Sequence, residues 1–137
     1  IDDEPGYGAH WGEVQTNIHK GLGCLGVVTN GSVRDIPDSA PGFQMLAGEV
    51  GPSHAFVYVV DYGLEVTVAG MTVRPGDLIH ADIHGAVVIP SDDVARKIPA
   101  AVDLISRREA VLIGAAQADG FNFDKLAEAI KDSGEIH

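Results

Sequence analysis

An arginine and an aspartate stand side by side at Arg34-Asp35, directly after Asn30-Gly31-Ser32-Val33. The preceding run, Cys24-Leu25-Gly26-Val27-Val28-Thr29, is apolar and β-branched, and Asn30-Gly31 breaks it as a turn. A charged pair just past a strand lies where α/β proteins place binding and catalytic groups. A guanidinium holds a carboxylate or enolate oxygen through paired N–H donors, and a neighbouring carboxylate holds a hard cation such as Mg²⁺. The plain alternative is a solvated ion pair of little energetic weight.

Glu13 supplies a third group. It follows the glycine-rich stretch Pro5-Gly6-Tyr7-Gly8-Ala9 and falls in the first turns of an expected helix. The unpaired N–H groups of a helix N-terminus form a pocket for a small carboxylate. Two carboxylates and an arginine around such a helix end suit metal-assisted enolate chemistry. The cation and Arg34 would stabilise developing negative charge, and Glu13 would move a proton directly or through a metal-bound water. In the plain reading Glu13 is an acid that favours the helix dipole. Spacing alone does not decide which ends of the helix and the strand meet.

A rival constellation is His80-Ala81-Asp82-Ile83-His84. On a strand, residues two apart share a face, so His80, Asp82 and His84 line up as potential metal ligands. Three ligands from one strand seldom close a coordination sphere, and a polar strand edge is the simpler reading. His54 precedes an apolar run and suits packing or a hydrogen bond, whereas His10 beside the glycine loop is a candidate substrate contact. Cys24 is expected to open a buried strand as a structural residue. The chain contains no P-loop, paired-cysteine or Gly-x-Ser-x-Gly signature, and the glycines at Gly21, Gly23 and Gly26 precede a strand, where a nucleotide-binding glycine loop would follow one.

The elements that must position these groups follow from periodicity and turn residues. Trp11, Val14, Ile18 and Leu22 recur at helical spacing and predict a helix over His10–Leu22, ended by Gly21 and Gly23. Strands are expected at Cys24–Thr29, Phe43–Ala47, Ala55–Val60, Leu64–Ala69, Met71–Val73, Asp77–Ala81 and Gly85–Ile89, with turns at Gly70, Pro75-Gly76 and Gly85. Ser91 is an N-cap for a helix carrying the stripe Val94, Ile98, Val102 and Ile105, which Pro99 should kink or break. A last helix runs from the N-cap Asn122 to about Asp132.

A chain of 137 residues, 45% hydrophobic and 21% charged, is one soluble domain with a real core. A net charge of −11 excludes a direct grip on a phosphate backbone, and no apolar run reaches membrane-spanning length, so neither nucleic acid nor membrane is an expected partner. The single Cys24 cannot form an internal disulfide and, with no signal peptide in view, suits a reducing cytoplasm. The opening Ile1-Asp2-Asp3-Glu4-Pro5-Gly6 reads as a chain entered at the end of a strand, so an N-terminal portion is expected to be absent.

Gly12-Glu13 followed by Gly26-Val27-Val28-Thr29-Asn30-Gly31-Ser32-Val33-Arg34-Asp35 resembles the RraA-like proteins and the related class II pyruvate aldolases. The run from Val73-Arg74-Pro75-Gly76-Asp77 to Ile89-Pro90 is similar to the family's second signature. The resemblance implies an α/β protein with a swivelling β/β/α domain, a mixed β-rich core and flanking helices. On that reading residues 1–137 form one RraA-like domain, with 119–137 as a C-terminal helical extension. It also implies cleavage of 4-hydroxy-4-methyl-2-oxoglutarate or 4-carboxy-4-hydroxy-2-oxoadipate, or decarboxylation of oxaloacetate, with Mg²⁺, Mn²⁺ or another divalent cation. Arg34 would bind the pyruvyl oxygens, Asp35 would anchor the metal and Glu13 would hold metal waters or shuttle the proton. Backbone amides of Gly12, Val14 and Gln15 would receive the substrate carboxylate. A homotrimer or a hexamer, with sites near subunit boundaries, is implied as well. Some relatives are protein inhibitors of ribonuclease E, which makes a non-catalytic regulator the alternative. The chain departs from the family pattern at Asn30 and at Ile36-Pro37-Asp38, where acids are frequent.

Overall fold

The computed structural model describes Ile1, Gly6 and residues 8–137, which divide into two compact units, 1–89 and 90–137. Of the expected glycine loop, residues 5 and 7 lie outside the described residues. In chain order the first unit contains β1 (Gly8–Trp11), α1 (Glu13–Gly21), β2 (Gly26–Val28), β3 (Ser32–Val33), a 3₁₀ turn (Ile36–Asp38) and β4 (Gln44–Leu46). These are followed by β5 (Glu49–Val50), β6 (Ser53–His54), β7 (Val66–Val68), β8 (Met71–Val73), β9 (Leu78–Asp82) and β10 (Gly85–Ile89).

Four short strands form a parallel sheet in the order β5-β3-β1-β6. A second parallel pair joins β2 to β4, and β7–β8 and β9–β10 are antiparallel hairpins. The β7–β8 turn passes through Ala69 and Gly70, both at positive φ, which matches the right-handed twist of a tight hairpin. Trp11, Val33, Ala40 and Phe43 form the buried core, with Val27, Met45 and Ala47 packed against it. The Trp11 ring stacks on Phe43 at 5.8 Å between centroids and tilts against His19 at 4.6 Å.

These packing demands move two expected boundaries. His10 and Trp11 belong to β1 rather than to the first helix, which starts at Glu13. Trp11 is needed in the sheet, where its ring meets Phe43, and the extended backbone of Gly12 (φ −162°) separates strand from helix. The buried residue of α1 is Thr16, whose hydroxyl donates to Glu13 O at 2.9 Å and accepts from Ala40 N at 3.0 Å. Val14, Ile18 and Leu22, the expected apolar stripe, remain exposed. The strand expected over Ala55–Val60 does not form. After β6, Ala55 N donates to Ala9 O at 3.2 Å, but residues 56–60 join no strand and Phe56, Tyr58, Val59 and Val60 are exposed. A β-branched run favours a strand only where a neighbouring strand receives its backbone. Cys24 precedes β2 and is exposed, not buried.

The second unit pairs α2 (Asp92–Gln117) with α3 (Phe123–Gly134). Ser91 Oγ accepts from Val94 N at 3.3 Å and Asn122 Oδ1 from Lys125 N at 3.0 Å, so both caps act as their residue types predict. Pro99 lies inside one continuous α2, so the break that the sequence allowed there does not occur. Arg108 donates from Nε and Nη2 to Ile136 O, at 3.0 and 2.8 Å, and ties the chain beyond α3 to α2. Among the described residues no helix is long and apolar enough to cross a membrane. The architecture is mixed α/β.

Candidate functional site

Parallel pairing of β1 with β3 sets Trp11 opposite Val33, so the residues that follow each strand emerge at one edge of the sheet. Gly12-Glu13 and Arg34-Asp35 therefore meet there, in the place where parallel sheets usually hold ligands. Two backbone bonds close the strand ends together: Arg34 N donates to Trp11 O at 2.9 Å, and Gly51 N to Val33 O at 3.0 Å.

The Arg34 side chain is 17% exposed. Its Nη1 donates to Ala9 O at 3.0 Å and its Nε to Asp35 Oδ2 at 3.0 Å. Nη2 makes no hydrogen bond among the described residues, which leaves one face of a fixed guanidinium for a ligand. Asp35 sits in the left-handed region, at φ 50° and ψ 37°. Aspartate is among the few non-glycine residues that tolerate this conformation, and such residues gather at binding sites. Asp38 N and Ser39 Oγ both donate to Asp35 O at 3.0 Å and hold the bend, which leads into the 3₁₀ turn containing Pro37. The carboxylate is thereby turned back toward α1, with Oδ2 3.4 Å from Glu13 N. Oδ1 carries no hydrogen bond among the described residues, and the side chain is 41% exposed.

Gly12 permits this approach. A Cβ built there would lie 2.6 Å from Asp35 Oδ2 and 3.0 Å from Arg34 Cγ. The backbone ladder of α1 begins with Thr16 N donating to Gly12 O at 3.0 Å, so the amides of Val14 and Gln15 reach no intrahelical carbonyl. Glu13 is met through its backbone. Its carboxylate is exposed and makes no hydrogen bond to Arg34 or Asp35 among the described residues. An open cavity of about 420 Å³ adjoins the pair, and its remaining wall is Ile36, Pro37, Val50, Gly51 and Pro52. Sequence reasoning missed the contribution of Val50, Gly51 and Pro52, and the anchoring carbonyl of Ala9. The Gly51-Pro52 dipeptide was the available signal, since it marks a turn after a strand.

The other histidines are not part of this site. His10 lies edge-on to Trp11 at 5.7 Å, and His54 is exposed in β6. His80 and Asp82 belong to β9, and His84 to the turn after it. Asp82 Oδ1 accepts from His84 N at 2.8 Å, while Oδ2 lies 3.4 Å from His84 Nδ1 and 3.8 Å from His80 Nε2. All three side chains are exposed. The backbone and side-chain bonds from His84, aided by the nearby His80, hold the Asp82 carboxyl below its ordinary value of 3.8. A depressed carboxyl stabilises the fold above its unfolded-state value, and that contribution is lost as pH falls through the folded-state value. In a carboxyl-detected NMR titration Asp82 should titrate below 3.8, and replacing His84 with alanine should move it upward. An unchanged midpoint in that variant shows that the imidazole does not set the acidity and leaves it to the residue-84 amide, which alanine keeps.

Among the described residues no group of three or more His, Cys, Asp or Glu side chains is arranged to hold a metal ion. Mg²⁺ needs less than that, because it commonly keeps several waters and binds through one or two carboxylates and substrate oxygens. Asp35 lines the open cavity and its Oδ1 carries no hydrogen bond among the described residues, which fits a hard cation such as Mg²⁺ or Mn²⁺ and does not supply the nitrogen or sulfur ligands of a softer transition-metal cage.

A model of the RraA-like family, described as Aldolase/RraA, matches residues 1–88. The chain is 31% identical over 90 residues to protein DlpA of Legionella pneumophila, covering 60% of this chain and 14% of that one. It is 30% identical over 122 residues to an uncharacterized protein of Methanocaldococcus jannaschii, covering 85% and 59%. A Pseudomonas putida protein bearing the name "Putative 4-hydroxy-4-methyl-2-oxoglutarate aldolase" is 37% identical over 76 residues, covering 50% and 44%. A solved structure of an uncharacterized protein from Pseudomonas syringae matches with a TM-score of 0.67 at 22% identity, covering 96% of this chain and 61% of that one. The chain thus spans less than two thirds of the length of each of these relatives.

Proposed function

The chain belongs to the RraA-like family, and from that premise we propose that it is a divalent-metal-dependent carbon–carbon lyase acting on small 2-oxo acids. Its reaction is retro-aldol cleavage that releases pyruvate, with decarboxylation of oxaloacetate as the same bond-breaking on a simpler substrate. The observation that carries this reading is the divided Arg34-Asp35 pair, in which each side chain keeps one polar group unspent while the other groups fix its position.

Nη2 of Arg34 faces the oxygen of the 2-oxo group, and the amides of Val14 and Gln15 receive the substrate carboxylate at the start of α1. Asp35 would hold Mg²⁺ or Mn²⁺, which when bound supplies Lewis-acid polarisation of the 2-oxo carbonyl. As the C3–C4 bond of a 4-hydroxy-2-oxo acid breaks, its electron pair moves toward the 2-oxo oxygen, and Arg34 meets the charge that develops there. Glu13, on the first turn of α1, takes the proton of the C4 hydroxyl and returns a proton to C3 to complete pyruvate.

The test is pyruvate release from oxaloacetate and from 4-hydroxy-4-methyl-2-oxoglutarate, measured above the rate of the metal alone. We expect a chelator, Arg34→Ala or Asp35→Ala each to reduce it by about 100-fold or more. Full activity in either variant sinks the reading. The charge of −11 favours a second reading, a non-catalytic regulator that binds a basic partner protein. Capture of such a partner by the wild type and both variants, without pyruvate release, selects it.

A further inference from the structure

We infer that Thr16, which does not line the cavity, is a positioning residue that holds the start of α1 and the Asp35 bend in register with each other. The inference rests on the reading above, in which Asp35 anchors the cation and the amide of Val14 receives the substrate carboxylate. Thr16 is fully buried in α1, and its hydroxyl works in both directions at once. It donates to Glu13 O at 2.9 Å and accepts from Ala40 N at 3.0 Å.

Each bond acts on one half of the site. Glu13 O and the N–H of Val14 belong to the same planar peptide unit, so holding the carbonyl aims the amide. Ala40 ends the segment that begins at Asp35. That segment is braced, because Asp38 N and Ser39 Oγ both donate to Asp35 O and the 3₁₀ turn with Pro37 lies between. Its near end is fixed by Arg34 N on Trp11 O, and its far end by the Thr16 hydroxyl. A shift at Ala40 is therefore passed to the Asp35 carboxylate. The two bonds are not equally replaceable. Asn17 Nδ2 also donates to Glu13 O, at 2.8 Å, whereas the buried Ala40 amide makes only this one bond among the described residues. Loss of the hydroxyl thus releases the metal half of the site and spares the amide half.

The test is Thr16→Val, which keeps the shape of the side chain and removes the hydroxyl, beside Thr16→Ser, which keeps the hydroxyl. Mg²⁺ is titrated calorimetrically into each full chain without substrate, so that the result does not depend on turnover. We expect the valine variant to bind Mg²⁺ about tenfold more weakly, the lower end of the cost of disturbing a group that orients a metal ligand, and the serine variant to stay within about twofold of the wild type. A hydroxyl that only supports the fold lowers the thermal midpoint and leaves the affinity of the folded protein alone. Wild-type affinity in folded Thr16→Val therefore overturns the inference and leaves the lyase reading standing. Should the valine variant not fold, the same coupling is read from the wild type. If the Thr16–Ala40 bond favours Mg²⁺ binding by about tenfold, bound Mg²⁺ favours that bond by the same factor. Amide exchange at Ala40 should then slow by about tenfold in saturating Mg²⁺, and by more than in the β9–β10 hairpin. No slowing at Ala40, or only as much as in the hairpin, overturns the inference as well. Failure of the wild type to bind Mg²⁺ overturns it together with the lyase reading.

Discussion

Replacing Arg34 with lysine is expected to lower kcat/KM for pyruvate release by about 100- to 1,000-fold, the range seen when one donor to a developing oxyanion is lost. The expectation follows from the way the guanidinium is divided. Its three nitrogens are divided: Nη1 donates to Ala9 O, Nε to Asp35 Oδ2, and Nη2 makes no hydrogen bond among the described residues, in a side chain that lines the cavity. An ammonium is a single nitrogen on a flexible stem and cannot span these positions together. If it moves to Asp35 it abandons the substrate oxygen, and if it moves to the substrate it releases the carboxylate. The loss should appear mainly in kcat, because the charge being stabilised is largest in the transition state. The fold should be little affected, since Trp11, Val33, Ala40 and Phe43, which form the core, are untouched. Retention of more than half the activity by Arg34→Lys shows that Arg34 is no more than a surface ion pair.

How much of this site could be read from the chain depends on the range of the interactions involved. The caps at Ser91 and Asn122 and the hairpins of β7–β8 and β9–β10 were legible, because each is a local pattern of residue types, whereas the strand that Arg34-Asp35 directly follows is β3 and not the apolar run over 24–29. The boundary at Trp11 was not legible, since its spacing to Val14 and Ile18 mimics a helical stripe while its ring is claimed by Phe43, far along the chain. β3, β5 and β6 have two residues each, too short for any period to show, and they exist only through parallel neighbours. The run from Phe56 to Val60 shows the converse, strong β propensity without a ladder to join. For Glu13 the sequence left open which ends of helix and strand meet, and it hid the form of the contact, in which the amide, and not the carboxylate, touches Asp35. The left-handed bend at Asp35 was equally hidden, because a single aspartate serves many backbone conformations.

Gly12→Ala tests whether that hidden geometry matters, and it is expected to reduce metal affinity about 10- to 100-fold, the usual cost of misplacing a group that orients a metal ligand. The substitution is clean on backbone grounds. At φ −162° and ψ −160° Gly12 is in extended conformation, which alanine adopts without strain, so any effect must come from the added methyl. That methyl meets Asp35 Oδ2 at 2.6 Å, Arg34 Cγ at 3.0 Å and Arg34 Nε at 3.2 Å. Both long side chains are therefore pushed at once, and they cannot yield independently, because Nε and Oδ2 are hydrogen-bonded to each other. Asp35 has the freer path, being the more exposed of the two, so its carboxylate should swing away from Glu13 N and take the cation's anchor with it. Mg²⁺ binding followed by calorimetry should then weaken while pyruvate release falls in parallel, and excess Mg²⁺ should restore part of the rate. The thermal midpoint should shift by only a few degrees, since the clash lies at the sheet edge and no buried apolar contact is removed. Unchanged Mg²⁺ affinity and rate in a folded Gly12→Ala variant show that the close approach of Asp35 to the start of α1 has no part in the chemistry.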